Sequence, residues 1–502
     1  MQAFSHIPLG EPIPDRPHAV SCSLPTMAAV RGYEEKDPAV TARLEAGYPR
    51  FVVHPFARRL TSELAARRRL AGRTLWLASS PRMAQALVAH LRAAGAADAS
   101  PFEHEGAHGA HHAESAGTFQ LAKQFLQNVG GFISSREAED RLFALGLGPV
   151  PGLEETFEGD AAAEVRRVLA PAFGGVSAAD LLLTNCGMNA VYAAFRAVSA
   201  LQAPRGRTAW VQLGWLYLDT IAILRRFTPS ASDYFHVADA MDAGALKRLF
   251  DENGSRIAGV VAEVPTNPLV QTPDVESLAA LCRERSAKLV LDPSLASAFS
   301  VNCLPHSDLV VTSLTKYTGS DGDIVAGLVA VNPAGPDAGF LRQAAAAALE
   351  SPYPRDQARL AAQIGKTAEV LARIEESTPR VAAFLSSHPA VGAVHWALGP
   401  SSRASYLRVA RSPGATGGII SFALRRPLAP FYDRLRLPKG PSFGMSTTLI
   451  CPFMYLAHYD MVTTEAGRAE LRRNGIDPEL LRLSVGTEPA DEIIGALAEA
   501  LS

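Results

Sequence analysis

Lys316 stands just past the point where the apolar, β-branched run Leu309-Val310-Val311-Thr312 gives way to the turn Ser313-Leu314-Thr315-Lys316-Tyr317-Thr318-Gly319. A lysine belongs in water unless its amine is needed elsewhere. The other six lysines, Lys36, Lys123, Lys247, Lys288, Lys366 and Lys439, fall in helix or loop contexts where a solvated amine costs nothing, so Lys316 is expected to be the exception. An amine kept partly dry has its lone pair free to condense with an aldehyde. Three other junctions carry groups that complement it. Cys186-Gly187-Met188-Asn189 follows the run Asp180-Leu181-Leu182-Leu183 and opens a helical stretch, where unpaired backbone N–H groups can seat an anion. Asp292 closes Lys288-Leu289-Val290-Leu291, a costly place for a carboxylate without a cation or donor nearby. Asn267 lies between Pro265 and Pro268, whose rings stiffen the turn that presents its amide. Taken singly, each junction also fits an ordinary structural turn. Together they describe carbonyl condensation beside an anion seat and a carboxylate.

The elements that must hold these groups form an alternating series from about residue 160. Helix-period stretches such as 187–201 and 275–286 alternate with short apolar runs at 181–185, 208–213, 257–264, 288–292, 309–313 and 326–332. Buried strands alternating with helices imply a largely parallel sheet covered on both faces, an α/β fold. Ligands on such sheets bind beyond the carboxyl ends of the strands, which is where the four junctions fall. A long helical stretch over 357–388, broken near Pro379, leads to a smaller carboxyl-terminal α/β domain. The expected division is an amino-terminal extension 1–115, a large domain 116–370 and a small domain 371–502. Residues 1 to about 40 and the His-rich segment 95–118, with His104, His108, His111 and His112, read as surface connections, and no metal site is expected there.

With 502 residues, 48% hydrophobic and 20% charged, the chain can bury substantial cores. A formal net charge of -2 without basic runs argues against nucleic acid and anionic membrane as partners. No uninterrupted apolar run reaches the length of a membrane span, and the amino-terminal segment lacks the plan of a signal peptide, so a cytoplasmic location is expected. Five scattered cysteines without a CxxC pair read as reduced thiols.

The cofactor that pairs a reactive lysine with a phosphate seat and a carboxylate is pyridoxal phosphate. On that reading Lys316 forms a Schiff base and Asp292 keeps the pyridine nitrogen protonated, while Gly187, Met188, Ser313 and Thr315 hold the phosphate. A dinucleotide-binding protein ranks last, because no GxGxxG opens a helix after a strand.

From about residue 160 onward these residues resemble the Cys/Met-metabolism family of pyridoxal phosphate enzymes, the cystathionine γ-synthase group. Cys186-Gly187-Met188 is similar to the family's Ser-Gly-Met, Leu216-Tyr217-Leu218-Asp219-Thr220 to its Leu-Tyr-Gly-Gly-Thr, Pro265 to Pro268 to its Pro-x-Asn-Pro, and Ser313 to Tyr317 to its Ser-x-Thr-Lys-Tyr. Ser442-Phe443-Gly444 resembles its Ser-Leu-Gly, and Arg482-Leu483-Ser484-Val485-Gly486 its Arg-Leu-Ser-Val-Gly. The departures are Leu218-Asp219 for Gly-Gly, Asp292-Pro293-Ser294 for Asp-Asn-Thr, and extra length at the front.

The resemblance implies a fold-type I enzyme with a seven-stranded-type sheet, forming a homodimer or homotetramer with shared active sites. It implies that Lys316, Tyr217 and Asp292 are catalytic and that Tyr217 stacks on the cofactor. Cys186 and Asn267 join the cofactor-binding set, and Arg482, Ser442 and Asn267 bind substrate, Arg482 through its α-carboxylate. The family's Tyr-x-Arg, which reaches a partner subunit's phosphate, has two counterparts here: Arg136 as first candidate, and Tyr48 with Arg50 as second. The front segment resembles the longer, fungal-type members. The implied activity is γ-replacement on an O-acyl-L-homoserine by a thiol, in methionine metabolism. Alternatives are a cystathionine or methionine γ-lyase, γ-replacement by a carbon nucleophile, and a catalytically silent regulatory homologue.

Overall fold

The computed structural model describes residues 4–48 and 51–502. Its strands are β1 (Pro12–Ile13), β2 (Ser21–Cys22), β3 (Arg73–Ala78), β4 (Ser100–His104), β5 (Ala107–Ala113), β6 (Leu181–Thr184), β7 (Ala209–Leu213), β8 (Tyr234–Val237), β9 (Ile257–Glu263), β10 (Lys288–Asp292), β11 (Leu309–Ser313), β12 (Gly327–Val331), β13 (Val391–Trp396), β14 (Ile419–Leu424), β15 (Leu449–Pro452) and β16 (Leu481–Ser484). The central sheet has the order β6-β12-β11-β10-β9-β7-β8. Five neighbours, β11-β10-β9-β7-β8, run parallel, while β12 is antiparallel to both β11 and β6. The reversal has a local cause. A parallel return needs a crossover, usually a helix, and the segment between β11 and β12 is taken up by the turns around Lys316.

All seven residues of β9 are buried, as a strand covered on both faces requires. Its side chains alternate between two cores. Val260 and Ala262 join Val275 and Leu278 of the helix Val275–Glu284, while Ala258 and Val261 join the helix Gly187–Gln202 on the other face. The smaller sheet, β13-β14-β16-β15, is antiparallel throughout and carries Arg482 on β16.

Several expectations change. The helix Thr367–Ser387 runs through Pro379 without a break; the ring removes one backbone donor and the packed face, with Ile374, Val381 and Leu385 fully buried, holds the helix together. The His-rich segment is a hairpin, not a loop. β5 pairs with both β4 and β3, His112 is fully buried and accepts from Trp76 Nε1 at 3.1 Å, and His111 Nδ1 accepts from Arg73 at 2.6 Å. The proline-rich front contains the β1-β2 ladder and a helix, Met27–Glu35, that Thr26 caps. Lys316 is not the sole buried lysine. Lys288 pairs with Asp308 and Asp337, and Lys439 donates to the carbonyls of Pro25 and Tyr432, so both amines are satisfied inside the fold.

The expected boundary at 115 runs through a shared core in which Trp76, Leu87 and Leu91 meet Phe125 and Leu126, and that at 370 falls inside the helix Thr367–Ser387. None of the described helices is long and apolar enough to cross a membrane.

Candidate active site

The strand ends converge on a cavity of about 270 Å³. Gly187, Met188, Tyr217, Asn267, Asp292, Ser313, Lys316, Ser442 and Arg482 all line it, so nearly all the residues expected at the site come together. Lys316 is 7% exposed; its Nζ donates to Ser442 Oγ at 2.6 Å and lies 4.6 Å from the Tyr48 ring centroid and 4.7 Å from that of Phe443. Two residues beside this contact hold left-handed backbone, Tyr317 at φ 61° and Ser442 at φ 83°. Such conformations are unfavourable for residues other than glycine and persist where the surroundings enforce them. Here they are enforced by Tyr317 N–H donating to the Gly444 carbonyl at 2.6 Å, and by the Ser442 carbonyl accepting from Arg482 at 3.1 Å.

Arg482 is 6% exposed, stacked between Phe443 and Phe453, and its Nη1 donates to Asn267 Oδ1 at 3.2 Å. Among the described residues no carboxylate lies within ion-pair distance of it. A buried guanidinium without a close ion-pair partner is costly, and the cavity it lines is open to an anionic ligand.

Asp292 and Glu263 end adjacent parallel strands in direct register, and both line the cavity. Burial raises the Asp292 carboxyl to about 6, against the opposing effect of Ser294 hydrogen bonds, including its N–H at 2.9 Å. Burial first, and then the neighbouring Asp292, hold the Glu263 carboxyl well above the ordinary range. Its two oxygens nevertheless accept backbone N–H groups, Oε1 from Tyr217 at 2.5 Å and Oε2 from Asn267 at 2.9 Å. Glu263 thereby ties the tyrosine, the asparagine and the aspartate to one another. Sequence reasoning missed it, although an acid closing a fully apolar strand was the signal that marked Asp292.

A raised folded-state carboxyl has a definite consequence for stability. Between the unfolded value of 3.8 and about 6, the folded chain retains a proton at Asp292 that the unfolded chain releases, so this residue makes stability fall as pH rises through that window. Melting temperatures of cofactor-free protein are expected to fall over that range for wild type and to fall less for D292N. Equal slopes for the two proteins would refute the assignment.

The site also fits the cofactor implied by its residue types. The helix Gly187–Gln202 starts at the cavity, and a Cβ on Gly187 would lie 2.8 Å from that of Ser313, so glycine keeps the approach open. Ser313 Oγ is buried without a hydrogen-bond partner, as is Thr220 Oγ1, and both residues line the cavity. Orphaned hydroxyls beside a helix start are suited to phosphate oxygens.

Three expected contacts are corrected. Arg136 does not line this cavity: it is buried elsewhere, paired with Glu154 at 2.8 Å and Asp356 at 3.1 Å and donating to the Asp323 carbonyl, so carboxylates already satisfy it. Thr315 turns its hydroxyl to the backbone of Ala326, accepting from its N–H at 3.2 Å. Cys186 caps the helix, its Sγ accepting from Asn189 N–H at 3.4 Å, and lines the small cavity beside Arg136 instead. The second candidate for the front contact, Tyr48, does line the main cavity, while Arg50 lies outside the described residues. Asp219, one of the departures from the family pattern, is buried and accepts from Gln127 and Asn128 of the helix Ala116–Val129. Tyr33, Lys123 and Phe453 are further lining residues that no motif announced.

Comparison with known proteins identifies the fold and the family. An L-2-amino-4-chloropent-4-enoate dechlorinase/desaturase of Streptantibioticus cattleyicolor is 38% identical over 491 residues, covering 97% of both chains. A cystathionine γ-synthase of Neurospora crassa is 28% identical and covers 98% of each. Among solved structures, a cystathionine γ-lyase from Lactobacillus plantarum superposes with TM-score 0.57 at 21% identity, over 71% of this chain and 94% of that one. A cystathionine γ-synthase from Xanthomonas oryzae pv. oryzae gives 0.56 at 24%, over 72% and 95%. These two likenesses establish the fold, that of fold-type I enzymes dependent on pyridoxal phosphate. The model of the Cys/Met metabolism PLP-dependent enzymes matches residues 169–502, and the chain belongs to that family.

Proposed function

We propose that the protein releases a leaving group from the γ-carbon of a small α-amino acid. The observation that carries this reading is Arg482, a buried cation with no ion-paired carboxylate among the described residues, at the edge of the cavity that holds Lys316. An α-carboxylate satisfies it in a paired, charge-assisted contact, with Asn267 fixing the plane of the guanidinium. Pyridoxal phosphate, when bound, supplies an electron sink for the carbons next to the amino group.

The chain's own residues do the rest. Gly187 and Met188 N–H groups and the Ser313 hydroxyl would hold the phosphate, Asp292 would keep a proton on the ring nitrogen, and Tyr217 would cover the ring. Lys316 would take the substrate's α-proton and then a β-proton. Ser442 Oγ, now 2.6 Å from its amine, holds that amine on the cavity side. Phe51, Leu218, Phe453 and Leu456 shield the reacting carbons from water.

The Streptantibioticus relative's name supports elimination as the outcome. A second reading, capture of the γ-carbon by a thiol, is favoured by the full-length likeness to the Neurospora cystathionine γ-synthase. Incubation with L-2-amino-4-chloropent-4-enoate, O-acetyl-L-homoserine and O-succinyl-L-homoserine, each with and without L-cysteine, separates them by mass spectrometry. Release of chloride or acylate without thiol incorporation is expected for elimination, and a thioether product supports the second reading. No release from any of the three would overturn both.

A further inference from the structure

The front of the chain reaches the cavity by a route the family resemblance does not supply. Tyr48 is 8% exposed, and its ring faces Lys316 Nζ of the same chain at 4.6 Å. Tyr33, Glu34, Lys36 and Phe51 line the same cavity. The helix Met27–Glu35 brings in the first of these, and it packs Met27, Val30 and Tyr33 into the core shared with the small domain.

The path from this helix back into the body is bonded along its length. Val20 N–H donates to the Gly322 carbonyl and Leu24 N–H to the Lys439 carbonyl, both at 2.9 Å. Ser21 Oγ donates to the Pro441 carbonyl at 2.6 Å, Tyr432 Oη to the Leu24 carbonyl at 3.0 Å, and Met27 N–H to Asp433 Oδ1 at 2.7 Å. Lys439, buried at 2% exposure, donates to the Pro25 carbonyl at 2.7 Å. Gly440 admits the Cys22 backbone so closely that a Cβ there would lie 2.4 Å from its carbonyl oxygen. Ile13, Val20 and Tyr48 share a buried cluster with Met445 and Leu449. Lys439, Gly440 and Pro441 lead directly into Ser442, the hydrogen-bond partner of Lys316. One strip of the small domain therefore holds both the extension and the reactive amine.

We propose that each copy of this chain completes its own catalytic cavity with Tyr33, Tyr48 and Phe51, in place of an aromatic residue donated by a partner subunit. The proposal rests on the function given above for the same cavity. The extension is then part of the catalytic domain and not a separate interaction module, and a single chain carries a whole site.

Two chains with different tags, one K316A and one Y48A, are co-expressed, and any doubly tagged assembly is isolated. With self-completed sites every site in the mixture is defective, and activity stays at the level of Y48A alone. Shared sites would regenerate one intact site per pair, and a rise to about half of wild-type activity per pair would overturn the proposal. Failure to obtain a doubly tagged assembly, with wild type active as a monomer in sedimentation, also supports it. Full activity of Y48A, or of Y48L where Y48A does not fold, would overturn it. An inactive wild type would instead sink the functional reading.

A second readout does not depend on turnover. Y48W chains are mixed with excess K316A chains, loaded with pyridoxal phosphate, reduced with borohydride and dialysed, so that label stays only where Lys316 is present. Quenching of the introduced tryptophan, over the background of the Tyr48 parent, is expected in the mixed assembly. Unquenched emission would place that residue in the neighbour's unlabelled site and overturn the proposal.

Discussion

Lys316→Ala is expected to lower turnover by at least about 10⁴-fold, because one amine both anchors the cofactor aldehyde and moves two protons, and loss of positioned proton transfer alone is worth about 10²–10⁴-fold. The fold should survive. The amine's described contacts, a hydrogen bond to Ser442 Oγ and two aromatic faces, do not hold the backbone in place. Far-ultraviolet circular dichroism should therefore match wild type. Purified wild type should show a visible absorbance band that borohydride fixes to the protein; K316A should bind the cofactor reversibly and keep none after reduction and dialysis. A wild type that gains no visible band with added pyridoxal phosphate would contradict the family assignment at its chemical root, and a K316A enzyme within tenfold of wild type would remove the lysine from the mechanism.

Arg482→Met should separate activity from stability. A paired, charge-assisted contact to a carboxylate is worth about 1.5–3 kcal/mol per hydrogen bond, so kcat/KM should fall by about 10²–10⁴-fold. Without substrate the same guanidinium is buried with no carboxylate of the described residues within ion-pair distance, and its replacement by an apolar side chain of similar length removes a desolvation cost. The expected result is a substrate-free protein that melts at the same or a higher temperature than wild type while losing nearly all activity. The Phe443 and Phe453 faces that sandwich the guanidinium accept a thioether equally well. A large drop in melting temperature with unchanged kcat/KM would mean that Arg482 is a structural member of the small sheet and that another group binds the carboxylate. Arg482→Lys keeps the charge but not the fork, and should recover only part of the activity.

The sequence was most legible where chemistry coincides with the end of an apolar strand. Lys316, Asp292, Asn267 and Gly187 each follow such a run, and the parallel sheet brings those ends to one place. The short runs behind β6, β7, β9, β10, β11 and β12 were recognisable because strands buried on both faces are apolar throughout. The direction of β12 was not, since a run such as Gly327–Val331 carries no sign of which way it is traversed.

Other features were hidden because they depend on contacts distant in the chain. Arg136 looked available, yet its partners Glu154 and Asp356 come from a following segment and a helix more than two hundred residues away. Thr315 and Ser313 look equivalent in the motif, and only the loop leading into β12 decides that the Thr315 hydroxyl meets backbone while Ser313 faces the cavity. The hairpin β4-β5 was obscured by histidines, which are weak strand formers until Trp76 and Arg73 on β3 provide them with partners. Lys288 and Lys439 were read as solvated for the same reason: a buried amine is recognised by its acceptors, and these lie elsewhere in the chain.

The turn at Ser442–Gly444 reaches beyond its own segment. It receives the Lys316 amine and the Tyr317 N–H from the large sheet, while Ser484 Oγ of the small sheet accepts the Gly444 N–H at 2.9 Å. For anyone recombining this enzyme with its relatives, the natural cut between the two sheets is therefore a false one. A small lobe taken from a homologue imports its own version of the lysine's surroundings, so reactivity and lobe are inherited together, and grafting must carry the stretch from 439 to 446 along with the residues it grips.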